Sequence, residues 1–325
     1  MIKLISEVTQ KILKGGQITY KESIKFINIV ENDKDSLQAL FEGADEIRKK
    51  FAGKKVDLCT IMNAKSGKCS EDCKFCAQSA HYKTGIDEYK LLNYEKVLER
   101  AREMERAKVH RFSLVTSGKG LNNEEFEKIV KIYRKLSEDT NLKLCASHGV
   151  ITYEQALKLK DSGITMYHHN IETNRDFYGN ICTTHYYEER IETIKNAMKA
   201  GLDICCGGII GMGESREDRV KMAFEIRDLG VKSIPINVLN PIKGTPLENQ
   251  EILSPFEILK TMALYRYILP DSYIRYAGGR KALRDKQNIG FRAGVNAALV
   301  GDYLTTVGSN IDEDKDMIIN EGLEI

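Results

Sequence analysis

The chain has 325 residues, 42% of them hydrophobic and 30% charged, and its 49 basic and 47 acidic side chains leave a net charge of +2. That balance excludes a disordered chain and offers no basic surplus of the kind that binds nucleic acid. No apolar run reaches the roughly 18 residues of a membrane span, and the mixed start Met1-Ile-Lys-Leu-Ile-Ser-Glu lacks a secretory core, so a cytoplasmic protein without membrane contact is expected.

Residues 1–50 read as helical. Beyond them, short apolar runs read as strands near 55–61, 110–115, 142–146, 164–169, 202–207, 232–237, 272–276 and 294–299. Amphipathic helices lie between most of them. In Asn93–Lys108, for example, Tyr94, Val97, Leu98, Ala101 and Met104 share one face. Helix starts are marked by Ser254-Pro255-Phe256-Glu257, Thr152 with Gln155, and Ser215 with Asp218. Eight strands alternating with helices favour a (β/α)8 TIM-type barrel, with an open doubly wound sheet as the alternative. Residues 1–50 would then be an N-terminal helical extension packed across the barrel, and 51–325 the barrel with its C-terminal segment.

Eight cysteines in a reducing compartment point to metal or redox chemistry before disulfides. Cys69, Cys73 and Cys76 form a C-x3-C-x2-C run in the long loop after the first strand. Three thiolates leave one iron of a cubane open, whereas structural clusters usually take four. A zinc site completed by His81 is the alternative, although this is not a usual zinc-finger spacing. Cys206 follows Cys205 directly, so in a regular strand only one can point inward, and Cys206 is expected to face the helices. Cys182 belongs to no motif and reads as a buried thiol.

With Phe75 in the aromatic place before its last cysteine, the triplet resembles the signature of the radical S-adenosylmethionine (SAM) superfamily. Further stretches narrow the resemblance to the biotin synthase family: Tyr167-His-His-Asn-Ile-Glu-Thr173 with Phe177-Tyr-Gly-Asn180, Gly207–Glu214, Pro235-Ile-Asn237, Lys243–Leu247 and Ser272–Arg275. They occur in the family's order from about residue 10 to the C-terminus.

The resemblance implies sulfur insertion into dethiobiotin to give biotin, a step whose unactivated C–H bonds require a radical cofactor. It implies that Cys69, Cys73 and Cys76 hold a [4Fe–4S] cluster that binds SAM, with Phe75, Glu172 and Arg190 around that cofactor. Glu172 stands where the family usually has Asp, and Arg190 suits the SAM carboxylate. Asn170 and Asn237 match substrate-contacting asparagines, whose amides offer a donor and an acceptor to a cyclic urea.

The auxiliary cluster departs from the family pattern, which is a [2Fe–2S] centre held by three Cys and one Arg. Cys145, Cys205 and Arg275 match, but Ser113 replaces the remaining cysteine, and a hydroxyl is a poor substitute for a thiolate on iron. Cys59 stands where the common form has Ser. Cys59, Cys145, Cys205 and Arg275 fall on the first, third, fifth and seventh strands, and alternate strands share a layer inside a barrel. They are therefore expected to form one sulfur-donating site, with a four-iron cubane carrying an extra sulfide favoured and a [2Fe–2S] cluster as the alternative. The resemblance also implies a homodimer and an electron donor such as flavodoxin or ferredoxin. Competing readings are another radical SAM barrel, of hydrogenase-maturase or methylornithine-synthase type, and a non-catalytic iron–sulfur scaffold.

Overall fold

A computed structural model describes residues 1–302, 304 and 308–325. Three helices come first: α1 (Ile2–Leu13), α2 (Tyr20–Ile27) and α3 (Lys34–Phe51). Strands and helices then alternate through β1 (Asp57–Lys65), α4 (Tyr94–Arg106), β2 (Arg111–Thr116), α5 (Asn123–Asp139), β3 (Lys143–Ser147), α6 (Tyr153–Asp161) and β4 (Ile164–His168). A short α7 (Arg175–Tyr178) and α8 (Tyr187–Lys199) lead to β5 (Asp203–Cys205), β6 (Gly208–Ile210), α9 (Arg216–Asp228), β7 (Ser233–Val238), α10 (Pro255–Ile268) and β8 (Tyr273–Tyr276). A 3-10 turn, α11 (Gln287–Arg292), β9 (Ala297–Leu299) and α12 (Ile311–Asn320) complete the chain.

Every strand pairing is parallel, in the order β5-β4-β3-β2-β1-β9-β8-β7-β6, and a β5–β7 pairing closes the sheet. β5 and β6 are two halves of one barrel strand, so the fold is the expected eight-stranded barrel preceded by helices. The expected continuous strand over 202–207 is corrected: it breaks at Cys206-Gly207 and resumes at Gly208.

Local chemistry sets the helix starts. Thr152 with Gln155 and Ser215 with Asp218 each form a reciprocal capping box, and Ser254 caps α10 with Pro255 in its first turn. In α4 the buried face is Val97, Ala101 and Met104. The helix α10 is buried from Ile258 through Ile268, and a helix buried all round needs cover on both sides. The barrel supplies one side. The extension supplies the other, since α2 packs on α9 and α10 while α3 packs on α10 and α11. Residues 1–51 thus lie against the outer helices. Among the described residues, no helix is long and apolar enough to cross a membrane.

Candidate active site

Parallel strands in register send paired residues to the same side. Inward positions include Cys59 and Ile61 on β1, His168 on β4, Cys205 on β5, Ile209 on β6, Pro235 and Asn237 on β7, and Arg275 on β8. They line a cavity of about 440 Å3, which opens among the loops that follow the strand C-termini, the end where barrels of this kind carry their chemistry. Cys206 is buried in the main apolar core and does not line the cavity, as strand alternation requires.

Cys69, Cys73, Phe75 and Cys76 reach the same cavity from the loop after β1. Consecutive left-handed residues, Gly67 (φ 77°) and Lys68 (φ 52°), turn the chain into this loop. Cys69 and Ser79 then form a bridge, with Cys69 N–H donating to the Gln78 carbonyl at 3.0 Å. Asp72 ties the loop to residues 183–184, accepting from the Thr183 N–H at 2.8 Å and the Thr184 N–H at 3.2 Å. Burial pushes the Cys76 thiol up to about 11 and raises Cys69, so these sulfurs ionise only beside a compensating positive charge, which iron supplies. The donor set fits an iron–sulfur cluster. His81 does not join it: its ring nitrogen lies 2.9 Å from the Ser70 carbonyl.

The segment after β4 carries a bulge. His168 pairs with Cys205 but Glu172 pairs with Gly208, so four steps on one strand oppose three on the other. Glu172 sits in the left-handed region (φ 68°), and Thr173 N–H bonds back to the Ile171 carbonyl at 2.9 Å, closing a three-residue turn around it. Two side chains brace the bulge. Asn170 Oδ1 accepts from Gly207 N–H at 3.1 Å, and Arg190 Nη1 donates to the Asn170 carbonyl at 2.9 Å. The facing glycines are required by space: a Cβ on Gly207 would stand 1.9 Å from the Pro235 carbonyl oxygen, and one on Gly208 would stand 2.4 Å from that of Glu172. Arg190 lies in the first turn of α8, with Nη1 3.5 Å from the Glu172 carboxylate. Burial raises the Glu172 pKa, and Arg190 offsets part of that shift.

Asn170 and Asn237 both line the cavity with partly committed amides. Asn237 Nδ2 donates to the Gly208 carbonyl at 3.1 Å, and its Oδ1 accepts from Gly278 N–H at 2.9 Å. His168 and His169, quoted within a motif but given no role from sequence, also line the cavity. Each has a buried Nε2 without a hydrogen-bond partner among the described residues, a polar atom open to a ligand.

Deeper in the barrel, Cys59, Cys205 and Arg275 line the cavity, whereas Cys145 packs beside Cys205 and Met166 without reaching it. Ser113 is buried, and its hydroxyl has no partner. Beneath them lies Asp57, which the sequence reading passed over. It accepts from Arg275 Nη2 at 2.5 Å and from Arg111 Nε at 3.2 Å. Burial would lower the Arg275 pKa, but Cys59 and Asp57 outweigh it and hold the guanidinium firmly protonated. Arg275 Nη1 donates to the Asp57 carbonyl at 3.0 Å, and Nε is left buried without a partner among the described residues. Burial pushes Cys59 up to about 11 and raises Cys205. Buried thiols beside an orphaned cationic donor fit a cluster that carries iron and anionic sulfide.

The family model described as the radical SAM superfamily matches residues 64–226, which hold the cysteine loop, the bulge and Arg190. The protein is accordingly a radical SAM enzyme with an iron–sulfur and SAM cofactor system. A second family model, the Biotin and Thiamin Synthesis associated domain, matches residues 235–324, which supply most of β7 and all of β8 and β9. The chain is 61% identical to a biotin synthase of Clostridioides difficile over 325 residues, all of both chains. It is 60% identical to a biotin synthase of Acetivibrio thermocellus over 316 residues, 97% of each. It belongs to the biotin synthase family. Among solved structures, methylornithine synthase superposes with a TM-score of 0.83 at 20% identity over 98% of this chain and 96% of that one, a likeness of fold alone.

Proposed function

We propose that this chain converts dethiobiotin to biotin by radical SAM sulfur insertion, with the sulfur supplied by an auxiliary iron–sulfur cluster inside the barrel. The observation that carries the reading is a single cavity shared by the cysteine loop at its rim and by Cys59, Cys205 and Arg275 deeper down. A substrate lying between them would have the radical source on one side and the sulfur donor on the other.

Cys69, Cys73 and Cys76 would hold the cluster at the rim, with Phe75 against it. When bound, that group supplies the electron that cleaves SAM to a 5′-deoxyadenosyl radical. Arg190 and Glu172 would orient SAM through its carboxylate and ribose, and the bulge fixes both relative to the loop. Asn170 and Asn237 would meet the ureido group, each with an amide proton or lone pair left over from its backbone bonds.

For the auxiliary site we propose Cys59, Cys145 and Cys205 as ligands, with Ser113 not ligating. Arg275 then acts as a cation and N–H donor beside the cluster. Asp57 supports this role, because a guanidinium held protonated has no lone pair to offer iron. Three thiolates suit a four-iron cubane whose open iron carries an exchangeable sulfide; a [2Fe–2S] cluster completed by Arg275 would require that guanidinium to give up a proton. We further propose residues 1–50 as an extension to a barrel at 51–325, a homodimer in the cytoplasm, and a flavodoxin or ferredoxin as reductant.

Anaerobic incubation with reductant, SAM and dethiobiotin tests the function. Biotin and 5′-deoxyadenosine should rise together. Deoxyadenosine without biotin would overturn the sulfur-insertion reading, and neither product would overturn radical SAM activity on this substrate.

A further inference from the structure

Two buried side chains, Tyr178 of the Phe177–Asn180 stretch and His185 beyond it, link the SAM-side arginine to one cysteine of the triplet. Arg190 Nε donates to the Tyr178 hydroxyl at 2.7 Å. Tyr178 Oη lies 2.6 Å from His185 Nδ1, and His185 Nε2 lies 3.7 Å from Cys73 Sγ. Tyr178 is 3% exposed, His185 6% and Cys73 8%.

Two arrangements of the protons compete: His185 Nε2 either accepts from Arg190 Nη2, 3.4 Å away, or carries a proton toward Cys73, and the Tyr178 contacts favour the second. A guanidinium Nε only donates, so the phenol oxygen accepts there and its single proton is free for Nδ1. The neutral ring then carries its own proton on Nε2, the atom facing Cys73. An imidazolium carries a proton on Nε2 as well. The remaining tautomer, protonated only at Nδ1, would leave the buried phenol proton without a partner. Cys182 is a weaker competitor for this sulfur: its Sγ is 3.7 Å from Cys73 Sγ but only 3.2 Å from Asp72 Oδ1, the better acceptor for a thiol proton.

We propose that Tyr178 and His185 form a polar bridge that holds an N–H donor on the Cys73 sulfur and connects it to Arg190. Occupation of Arg190 by the SAM carboxylate then adjusts the bridge and, through it, the reduction potential at the cysteine triplet. The proposal rests on the reading of Cys73 as a cluster ligand and Arg190 as a SAM contact. His185 and Tyr178 are positioning residues, since both act through another group. A hydrogen bond to cluster sulfur favours the reduced, more negative state and so raises the potential.

The test is a redox titration of the anaerobic holoenzyme, following the EPR signal that changes when SAM is added. His185→Leu should shift the midpoint to a more negative value. His185→Gln, whose amide N–H can reach the same sulfur, should restore most of the shift. Tyr178→Phe should shrink the difference between the SAM-free and SAM-bound midpoints. Equal midpoints in the Leu and Gln variants, or an undiminished SAM-induced difference in Tyr178→Phe, would overturn the proposal. If His185→Leu does not retain iron, the Tyr178→Phe comparison decides alone. Cys73→Ala separates the two levels: a SAM-responsive signal that survives it would overturn the ligand assignment itself.

Discussion

Asp57 and Arg275, 218 residues apart in the chain, meet in a largely buried ion pair in which Nη2 donates to Oδ2 at 2.5 Å. The pair joins the start of β1 to β8 across β9, and Arg111 approaches the same carboxylate from β2. One acid therefore orders three strands beneath the cavity and decides which atoms of Arg275 remain free.

Burial pushes the Asp57 pKa up, but the Arg275 and Arg111 charges outweigh it and hold the carboxyl below its ordinary value. A carboxylate depressed in the folded state stabilises the fold fully above its unfolded pKa, about 3.9, and loses that contribution as pH falls through the folded value. Asp57→Asn leaves the buried Arg275 and the half-buried Arg111 without their counter-charge, which should cost up to about 3 kcal/mol at neutral pH. Urea unfolding across the pH range should show the gap to the parent closing below about pH 4. A gap independent of pH would refute this account.

Ser113→Ala removes a buried hydroxyl that has no partner, so stability should hold or rise slightly, and the auxiliary cluster should be retained. Cys59→Ala should lose that cluster. Iron and sulfide analysis with Mössbauer spectra, in protein lacking Cys69, Cys73 and Cys76, distinguishes a four-iron from a two-iron centre. Two irons per chain, or a cluster indifferent to Cys59, would remove the case for the cubane.

Cys73→Ala should abolish SAM cleavage while the chain still folds. The side chain comes from a loop, and the loop's hold on residues 183–184 runs through Asp72. Circular dichroism should match the parent, while 5′-deoxyadenosine falls to background. Steady deoxyadenosine formation with unchanged iron would contradict the assignment.

Asn237→Ala should weaken dethiobiotin binding more than SAM binding. It should also lower stability, because the amide clasps Gly208 and Gly278. Leaving those two backbone groups unpaired should cost roughly 1–3 kcal/mol. Calorimetric titration with each ligand, beside a thermal melt, checks both effects. Equal loss of affinity for the two ligands would count against a substrate contact.

The barrel was legible because its signals are local. Apolar runs stand between helices that open on their own caps, as at Thr152, Ser215 and Ser254, and neighbouring segments then pair in order. The strand break at Gly207 was not legible, since it depends on the Pro235 carbonyl and on the Glu172 backbone across the sheet. The cysteine triplet was readable from spacing, and the odd-strand positions of Cys59, Cys205 and Arg275 from strand count. Asp57 escaped notice because its meaning lies in partners on β2 and β8. Cys182 was read as a buried thiol, as it is, but its nearness to Cys73, and that of His185, was not legible because Cys73 is brought to them only when the loop folds over.

Glu172 holds a left-handed backbone that favours glycine and tolerates Asp or Asn better than Glu. Glu172→Gly should relax the turn, yet it would erase the carboxylate facing Arg190. A library screened only for heat resistance would therefore enrich glycine at this position and return sturdy, inactive barrels. Conversely, a stabilised scaffold elsewhere in the chain gives the most freedom to vary this residue, because the strain it imposes is then a smaller share of a larger reserve.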